Sequence, residues 1–458
     1  MKLQVYPYDF EYKVEQDDSN DTKVIVKIYA KTKADKGDGK KVCINYEFVP
    51  FFYASTKNVD RKAFEEKLQG LSVETKTNVA KVYKFEIIKK KLIGKEDEFY
   101  KIYANYPRAV SVLAKEIQSW GVECFEKDIL FIHQFLRNVN IVPMTLIEVE
   151  GEFCDESDDN LTFCAQKIKQ SNLNDSGKWK ILAVDIETYN PTRAIDFENN
   201  PILMVGVYGK DETGHEVKKV FTWKNFDHKY DYVEHLTDEK EMLIAFQNFV
   251  NEFDPDILTG YFTDGFDLPY INTRAKMFDL NLKMGIAKAP LYVRKLQGLR
   301  DSECKIAGLL HLDVFKFIKY IFGKNLKTES YKLDSVAKEL LGKQKHEVDI
   351  GNLANVWENH PEQLGQFCAY NLEDANLTWQ LCEKLLFDVI EFTKIIGLPS
   401  YNVSRMKFSR LVEGYILKKA TDKEYNALAP NKPGDHELGQ RMQESIQGAF
   451  VFDPTPGL

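Results

Sequence analysis

The sequence predicts an α/β core in its second half, preceded by a smaller α+β unit. Three observations carry that prediction. From about residue 180 to 385, strand-like apolar runs alternate with helical ones, which is the order of a sheet covered by helices. Before residue 150 the runs are mostly strand-like and rich in aromatic and β-branched residues, with one clear helical stretch. Between the two lies a polar stretch, residues 155–178, rich in Asn, Asp and Ser. At 458 residues, about three domains are expected at roughly 150 residues each.

The elements follow in chain order. Residues 24–29 are β-rich and residues 45–53 (NYEFVPFFY) aromatic-rich, with a charged, glycine-containing turn at 31–41 between them. Residues 108–120 place Val110, Leu113, Ile117 and Trp120 at helical spacing. The run from Trp179 to Asp185 begins a buried strand. Strands are predicted at 201–208, 217–223 and 256–261, and helices at 239–253 and 268–278. A long helix over 361–396 is marked by Leu364, Phe367, Cys368, Leu372 and Ala375, and Gly397 and Pro399 end it.

Composition limits the function classes. Apolar residues make up 44% and charged residues 29%, the balance of a globular protein with real cores. There are 62 Lys plus Arg against 70 Asp plus Glu, a net charge of -8. Binding nucleic acid by broad phosphate neutralisation calls for a basic chain, so any such contact is expected to be local or carried by metal ions. Seven cysteines without a C-x-x-C pair argue against a disulfide framework or a zinc site and suit a reducing cytosol. Residues 1–13 alternate and carry charge, so no signal-peptide core is expected. No apolar run approaches the roughly 18 residues of a membrane span.

The chemistry lies in carboxylates. Asp185-Ile186-Glu187 follows the apolar strand 181–184, and residues i and i+2 of a strand share a face. D-x-E occurs six times here, and only Asp185 directly follows four apolar residues. Asp267 opens a helix after the turn Phe262-Thr263-Asp264-Gly265; alone, it reads equally well as a helix cap. Tyr370 and Asp374 are four apart on a predicted helix and share a face; alone, they read as an ordinary exposed pair. In order, D-x-E, F-D and Y-x-x-x-D match a metal-dependent 3′→5′ exonuclease signature. Such chemistry needs the attacking water and the leaving oxygen both stabilised, which two divalent ions roughly 4 Å apart achieve. Hard ions such as Mg²⁺ take oxygen ligands, and they let an acidic site accept a phosphate.

Over essentially its whole length the chain resembles the N-terminal half of an archaeal-type family B DNA polymerase. The resemblance rests on residues 183–188 for the first exonuclease motif, 254–258 through 266–270 for the second, and 370–374 for the third. His311-Leu312-Asp313 and Tyr331-Lys332-Leu333-Asp334 resemble intervening segments. Val403-Ser404-Arg405, Leu411-Val412-Glu413 and residues 429–433 resemble the approach to the polymerase core. The resemblance implies a ribonuclease-H-like exonuclease domain at 176–385 and an N-terminal domain at 1–150. It also implies a linker at 151–175, a helical return to the N-terminal domain at 386–428, and the start of a palm at 429–458. It implies two Mg²⁺ or Mn²⁺ ions: Asp185 would touch both, Glu187 and Asp374 would hold the one that activates water, and Asp267 would hold the second. Tyr370 would orient the water. DNA is the implied partner, as a single-stranded 3′ end and as primer-template.

Departures from the family pattern matter. Phe262 stands where the family often has Asn in the DNA cleft. Ile446-Gln447-Gly448-Ala449 stands where a Tyr-x-Gly-Gly DNA-contacting loop is usual, so Gln447 and Gly448 are candidate DNA contacts. The sequence stops at Pro456-Gly457-Leu458, before the first palm aspartate motif. The expectation is therefore no polymerisation by this chain alone, with palm, fingers and thumb either on a second polypeptide of a split enzyme or in the rest of an incomplete sequence, and a sliding clamp reached only through that part. A uracil-capturing pocket is implied at Pro50, Pro107, Val110, Ile129 and Phe131. Gln134 stands where Arg is common and Ala109 where Asp is common, and ordinary core is an equal alternative for these positions. Phe51, Phe52 and Tyr53 read as core or strand-pairing residues, with base stacking as the alternative. A free-standing 3′→5′ exonuclease and a decayed DNA-binding subunit stay open beside the proofreading half of a polymerase.

Overall fold

The first strands of the chain close on themselves. In the computed structural model β1 (Lys2–Gln16), β2 (Thr22–Thr32) and β3 (Lys41–Glu47) pair antiparallel, with Phe10 opposite Ile28 and Ile28 opposite Ile44. The model describes residues 1–431 apart from 17–21, 35–38, 58, 77, 158–159, 193, 212, 228, 296–301, 324, 329, 344–347 and 423; of 155–157 and 160 only the backbone is described. The described residues divide into two units. The larger comprises 1–50, 105–107 and 129–421, and the smaller comprises 51–104, 108–128 and the residues from 422 onward.

The smaller unit is a five-stranded sheet in the order β5-β6-β7-β4-β8. Its elements are β4 (Phe51–Ser55), α1 (Arg61–Gln69), β5 (Ser72–Glu74), β6 (Val79–Leu92), β7 (Lys95–Ala104), α2 (Ala109–Ser119) and β8 (Cys124–Phe125). Helix α1 is capped by Asp60, which accepts from the Ala63 amide at 3.1 Å. Helix α2 buries Val110, Leu113 and Ile117, at the spacing the sequence predicts. The chain re-enters this unit after residue 422, where the Leu428 amide donates to Lys91 O at 2.9 Å.

In the larger unit α3 (Phe131–Val139) leads to β9 (Ile147–Ser157) and β10 (Asn160–Gln170). Strand β9 pairs antiparallel with β1, and β10 pairs parallel with β3, so the five strands close into a barrel. The expected linker at 151–175 is therefore corrected: most of it is two barrel strands. Ile147 and Val149 of β9 and Phe163 and Ile168 of β10 are buried, while exposed residues between them, such as Gln166 and Lys167, supply polarity read as a linker. The hairpin also brings Cys154 and Cys164 together as a disulfide, with Cα atoms 5.8 Å apart. The sequence argues against a disulfide framework, and this is a single pair; the other five cysteines are buried thiols. Nor is 1–150 one body, since residues 1–50 and 129–150 belong to the larger unit and most of 51–128 to the smaller.

The remainder of the larger unit is a mixed six-stranded sheet in the order β14-β13-β12-β11-β15-β20. Strands β11 (Ile181–Thr188) and β13 (Glu216–Thr222) each pair antiparallel with β12 (Ile202–Lys210). Strand β14 (Val233–His235) joins parallel and leads to α4 (Glu239–Phe253). Strand β15 (Ile257–Gly260) pairs parallel with β11 and leads through a short loop to α5 (Asp267–Met277). Two small hairpins follow, β16 (Lys283–Met284) with β17 (Ala289–Pro290) and β18 (Tyr292–Lys295) with β19 (Ser302–Lys305). Strand β20 (Leu310–Asp313) completes the sheet. Helices α6 (Val314–Phe317), α7 (Leu333–Leu341) and α8 (Leu353–Asn359) lead to α9 (Leu364–Ile396), which ends at Gly397 with φ 75°. Short α10 (Ser400–Val403) and α11 (Phe408–Thr421) follow.

The two sheet faces follow from strand alternation. Leu182, Val184 and Ile186 point to one side, where Met242, Leu243 and Phe246 of α4 and Leu268 and Ile271 of α5 pack. Ile181 and Ala183 point to the other, against Ala375, Trp379 and Cys382 of α9. Asp185 and Glu187 continue this second set, so they are carried toward α9. The barrel is tied to the same sheet by a buried ion pair, Lys31 to Asp256 at 2.7 Å. Among the described residues no helix is long and apolar enough to cross a membrane.

Candidate active site

Asp185, Glu187 and Asp374 offer carboxylate oxygens that all lie within 4.8 Å of one another. Strand β11 supplies the first two from one face, and α9 crosses that face to supply the third. The crossing is close because Gly206, opposite Asp185 on β12, carries no side chain: a Cβ there would stand 2.4 Å from the Asn371 side-chain oxygen. Asn371 uses this space to donate to Asp185 Oδ2 at 2.7 Å. Asp267 is the first residue of α5 and is 3% exposed. Its Oδ1 accepts from the Ile186 amide at 3.2 Å, which fixes it to the strand that carries Asp185 and Glu187. Tyr370 lies one turn before Asp374 on α9 and is half-buried.

The electrostatics are those of crowded acids. Burial raises the Asp185 pKa well above the ordinary value, and Asp374, Asp267 and Glu187 raise it further against the opposing Asn371 hydrogen bond. Asp267 is pushed up to about 7, chiefly by burial, with Asp313 and Asp374 adding to it. The Tyr370 hydroxyl is raised by burial and by Asp374, Glu187, Asp334 and Asp185, so it keeps its proton at neutral pH. The donor set fits a hard divalent cation: the ligands are oxygens, and positive charge relieves the repulsion that otherwise protonates them.

A pH dependence follows. The folded-state pKa of Asp267 lies above its ordinary 3.8, so folding takes up a proton between about pH 4 and 7. Its contribution is fully present below pH 4 and is lost as pH rises through about 7. In a chelator, the stability of wild type relative to Asp267→Asn is expected to fall across that window, measured by thermal unfolding at stepped pH. A pH-independent difference would show that Asp267 is not held in a raised state.

Sequence reasoning missed a second buried cluster beside this one. Asp264 is fully buried and accepts from Arg405 Nε at 2.8 Å, Lys316 Nζ at 2.9 Å and the Cys304 amide at 2.8 Å. Burial acts to raise its pKa, but the Arg405 guanidinium and its other partners hold it well below the usual carboxylate range. Asp313 accepts from the amides of Phe262 at 3.2 Å and Asp264 at 3.0 Å, and burial with the Asp264 charge pushes it up to about 6. Burial takes His311 down to about 4, so it is neutral; Nδ1 lies 2.9 Å from Arg405 Nη2 and 3.0 Å from Cys304 O, and Nε2 lies 2.9 Å from Thr263 Oγ1. None of these residues sits at a spacing that a single sequence distinguishes from ordinary polar positions.

The remaining candidates fall as follows. Phe262 is half-buried with φ 68°, and its ring meets Phe315 at 5.0 Å. Gln447 and Gly448 lie outside the described residues. Of the five uracil candidates, Val110 is in the smaller unit and Pro50, Pro107, Ile129 and Phe131 in the larger. Phe131 is buried, 5.6 Å from Phe48 and 5.1 Å from Tyr12 between ring centres. Gln134 is also buried. Phe51, Phe52 and Tyr53 are buried in β4.

Comparison with known proteins places the chain. Residues 122–336 match the family model for the exonuclease domain of DNA polymerase family B; Tyr370 and Asp374 lie beyond that match. The chain is 30% identical over 444 residues to DNA polymerase 1 of Pyrococcus abyssi, covering 96% of this chain and 50% of that protein. It is 30% identical over 446 residues to the DNA polymerase of Thermococcus kodakarensis, covering 96% of this chain and 23% of that one. It thus spans about half the length, or less, of these curated relatives. A solved structure of the family B DNA polymerase of Pyrobaculum calidifontis matches in fold, with TM-score 0.78 at 22% identity over 94% of this chain and 52% of that one. These matches place the exonuclease domain of DNA polymerase family B at residues 122–336, in a chain that is similar over nearly its whole length to half or less of each of these archaeal DNA polymerases.

Proposed function

We propose that the chain is the editing portion of a replicative DNA polymerase, removing nucleotides from a single-stranded 3′ end. The observation that carries this is the convergence of Asp185, Glu187 and Asp374 within 4.8 Å, with buried Asp267 bonded to the same strand. Two Mg²⁺ or Mn²⁺ ions are the proposed cofactors, held by Asp185, Glu187, Asp374 and Asp267. When bound they supply Lewis-acid stabilisation of the attacking and leaving oxygens. The chain's own residues do the rest. Asn371 fixes the rotation of Asp185, the Ile186 amide fixes Asp267, and the protonated Tyr370 hydroxyl orients a water by hydrogen bonding. The exonuclease domain is assigned to 176–385. Primer-template DNA and a cytoplasmic location complete the proposal. Phe262, Gln447 and Gly448 are its DNA contacts.

The test is trimming of single-stranded DNA by the purified chain with Mg²⁺ or Mn²⁺, abolished by EDTA. Tyr370→Phe loses only the hydroxyl. Its rate is expected to fall about a hundred-fold, the scale of removing one oriented hydrogen-bonding group, with Mn²⁺ affinity unchanged. A Phe variant as fast as wild type would remove Tyr370 from the chemistry. For the uracil pocket, an apolar fit discriminates one methyl by only about 1–3 kcal/mol. Uracil-containing single strands are therefore expected to bind at most about a hundred-fold better than thymine ones, and less where Gln134 lacks the Arg charge and fork. Equal affinity at matched salt would reduce these residues to core.

A further inference from the structure

The loop that delivers Asp267 is held by a residue from far along the chain. Between β15 and α5 the backbone turns through Phe262, in the left-handed region at φ 68°. Phe262 and Asp264 donate their amides to Asp313, and Gly265 and Phe266 donate theirs to Phe262 O. The Leu268 amide donates to Thr263 O at 3.1 Å. The side chain of Asp264 is engaged edge-on by Arg405, Nε to Oδ2 at 2.8 Å and Nη2 to Oδ1 at 3.2 Å. Arg405 lies beyond α9, just after α10, and the rest of its fork is also used. Nη1 donates to His311 O at 3.1 Å and Tyr401 O at 3.0 Å, and Nη2 lies 2.9 Å from His311 Nδ1. The guanidinium lies 3.9 Å from the Tyr401 ring centre. Lysine offers neither this fork nor this stacking. A buried ionic network is weak evidence for stability as such, so its use is sought in what it orients.

We propose that Arg405 is a positioning residue of the exonuclease site: by gripping Asp264 and His311 it locks loop 261–266 and thereby sets where the Asp267 carboxylate stands relative to Asp185. The proposal rests on the metal-dependent reading of that site. It gives the segment after α9 a part in editing, since a domain ending with α9 leaves Asp264 without its principal cation. The effect is transmitted through contacts that orient ligands, and such contacts are worth about 10–100-fold in metal affinity or activity.

Two variants of the full chain test it. Arg405→Lys keeps the charge and loses the fork. The double variant Arg405→Met/Asp264→Asn removes both charges and so leaves no buried ion unpaired. Folding is checked by circular dichroism and thermal unfolding in EDTA, Mn²⁺ binding by the electron paramagnetic resonance signal of free Mn²⁺, and kcat and KM on single-stranded DNA. Both folded variants are expected to bind Mn²⁺ about ten-fold more weakly, with kcat down by a similar factor and KM unchanged. If either folded variant binds Mn²⁺ and trims DNA like wild type, Arg405 is a structural brace only and the proposal fails. Wild type that neither binds Mn²⁺ nor trims DNA sinks the reading of the site itself, a result separable from the first because it appears before any substitution.

Discussion

Asp185→Ala is expected to abolish trimming of a 3′ end, by roughly a thousand-fold or more. A divalent ion supplies several kcal/mol of charge stabilisation in a phosphodiester transition state, and about 4 kcal/mol is about a thousand-fold in rate. Asp185 stands between Asp374, Asp267 and Glu187, all of which act on its charge, so its removal opens the centre of the ligand set. The same substitution relieves repulsion among the remaining acids. The metal-free variant is therefore expected to unfold at a higher temperature than metal-free wild type, while gaining less from added Mn²⁺. A gel assay of 5′-labelled strands and a thermal melt with and without Mn²⁺ check the two halves. An Ala variant that trims as fast as wild type would place the chemistry elsewhere.

The largest effect on stability is expected from Arg274→Ala. Arg274 on α5 meets Glu239 on α4 through Nε to Oε1 at 2.8 Å and Nη2 to Oε2 at 2.5 Å, with both side chains under a tenth exposed. Glu239 also accepts from the Ile202 amide at 2.8 Å, so the pair joins two helices to β12. Removing the arginine leaves a buried carboxylate with one amide for company, which costs about 3–5 kcal/mol. Arg274→Met/Glu239→Gln keeps an acceptor for Ile202 and removes the unpaired charge, so it is expected to recover part of the loss. Urea unfolding of the three proteins decides this. A loss below about 1 kcal/mol for the single variant would show that Glu239 finds solvent.

What the sequence revealed and what it hid have physical causes. Asp185 and Glu187 were legible because the strand period is two and the preceding residues are apolar, so their face was determined by Ile181 and Ala183. Tyr370 and Asp374 were legible because α9 is long and its apolar spacing is unbroken. The boundaries of α4 and α5 were legible within a residue or so for the same reason. Asn371 was hidden: its partner Asp185 is on a strand, and the space it uses exists only because Gly206 faces it across the sheet. Arg405, Asp264 and Asp313 were hidden because their meeting depends on how α10 returns to β20, a long-range fact with no local period.

The N-terminal third shows the opposite error. Most of strands β9 and β10 was read as a linker because residues 155–178 are polar and rich in Asn, Asp and Ser. Ile147, Val149, Phe163 and Ile168 were apolar, but β9 pairs with β1 and β10 with β3, both more than a hundred residues earlier. Cys154 and Cys164 share that origin, since only the hairpin brings them together. The division of 1–150 into two units was likewise invisible, because residues 1–50 find their partners in β9 and β10 and not in the strands that follow them directly.

The central claim is that the carboxylate cluster of Asp185, Glu187, Asp267 and Asp374 removes nucleotides from a 3′ end with divalent metal. The most direct measurement follows a 5′-labelled single strand incubated with the purified chain and Mg²⁺, beside the same strand labelled at its 3′ end. A ladder that shortens one nucleotide at a time from the 3′ end, with immediate release of the 3′ label as mononucleotide and nothing in EDTA, is the predicted result. Internal cuts, shortening from the 5′ end, or no products at all with metal present would contradict it.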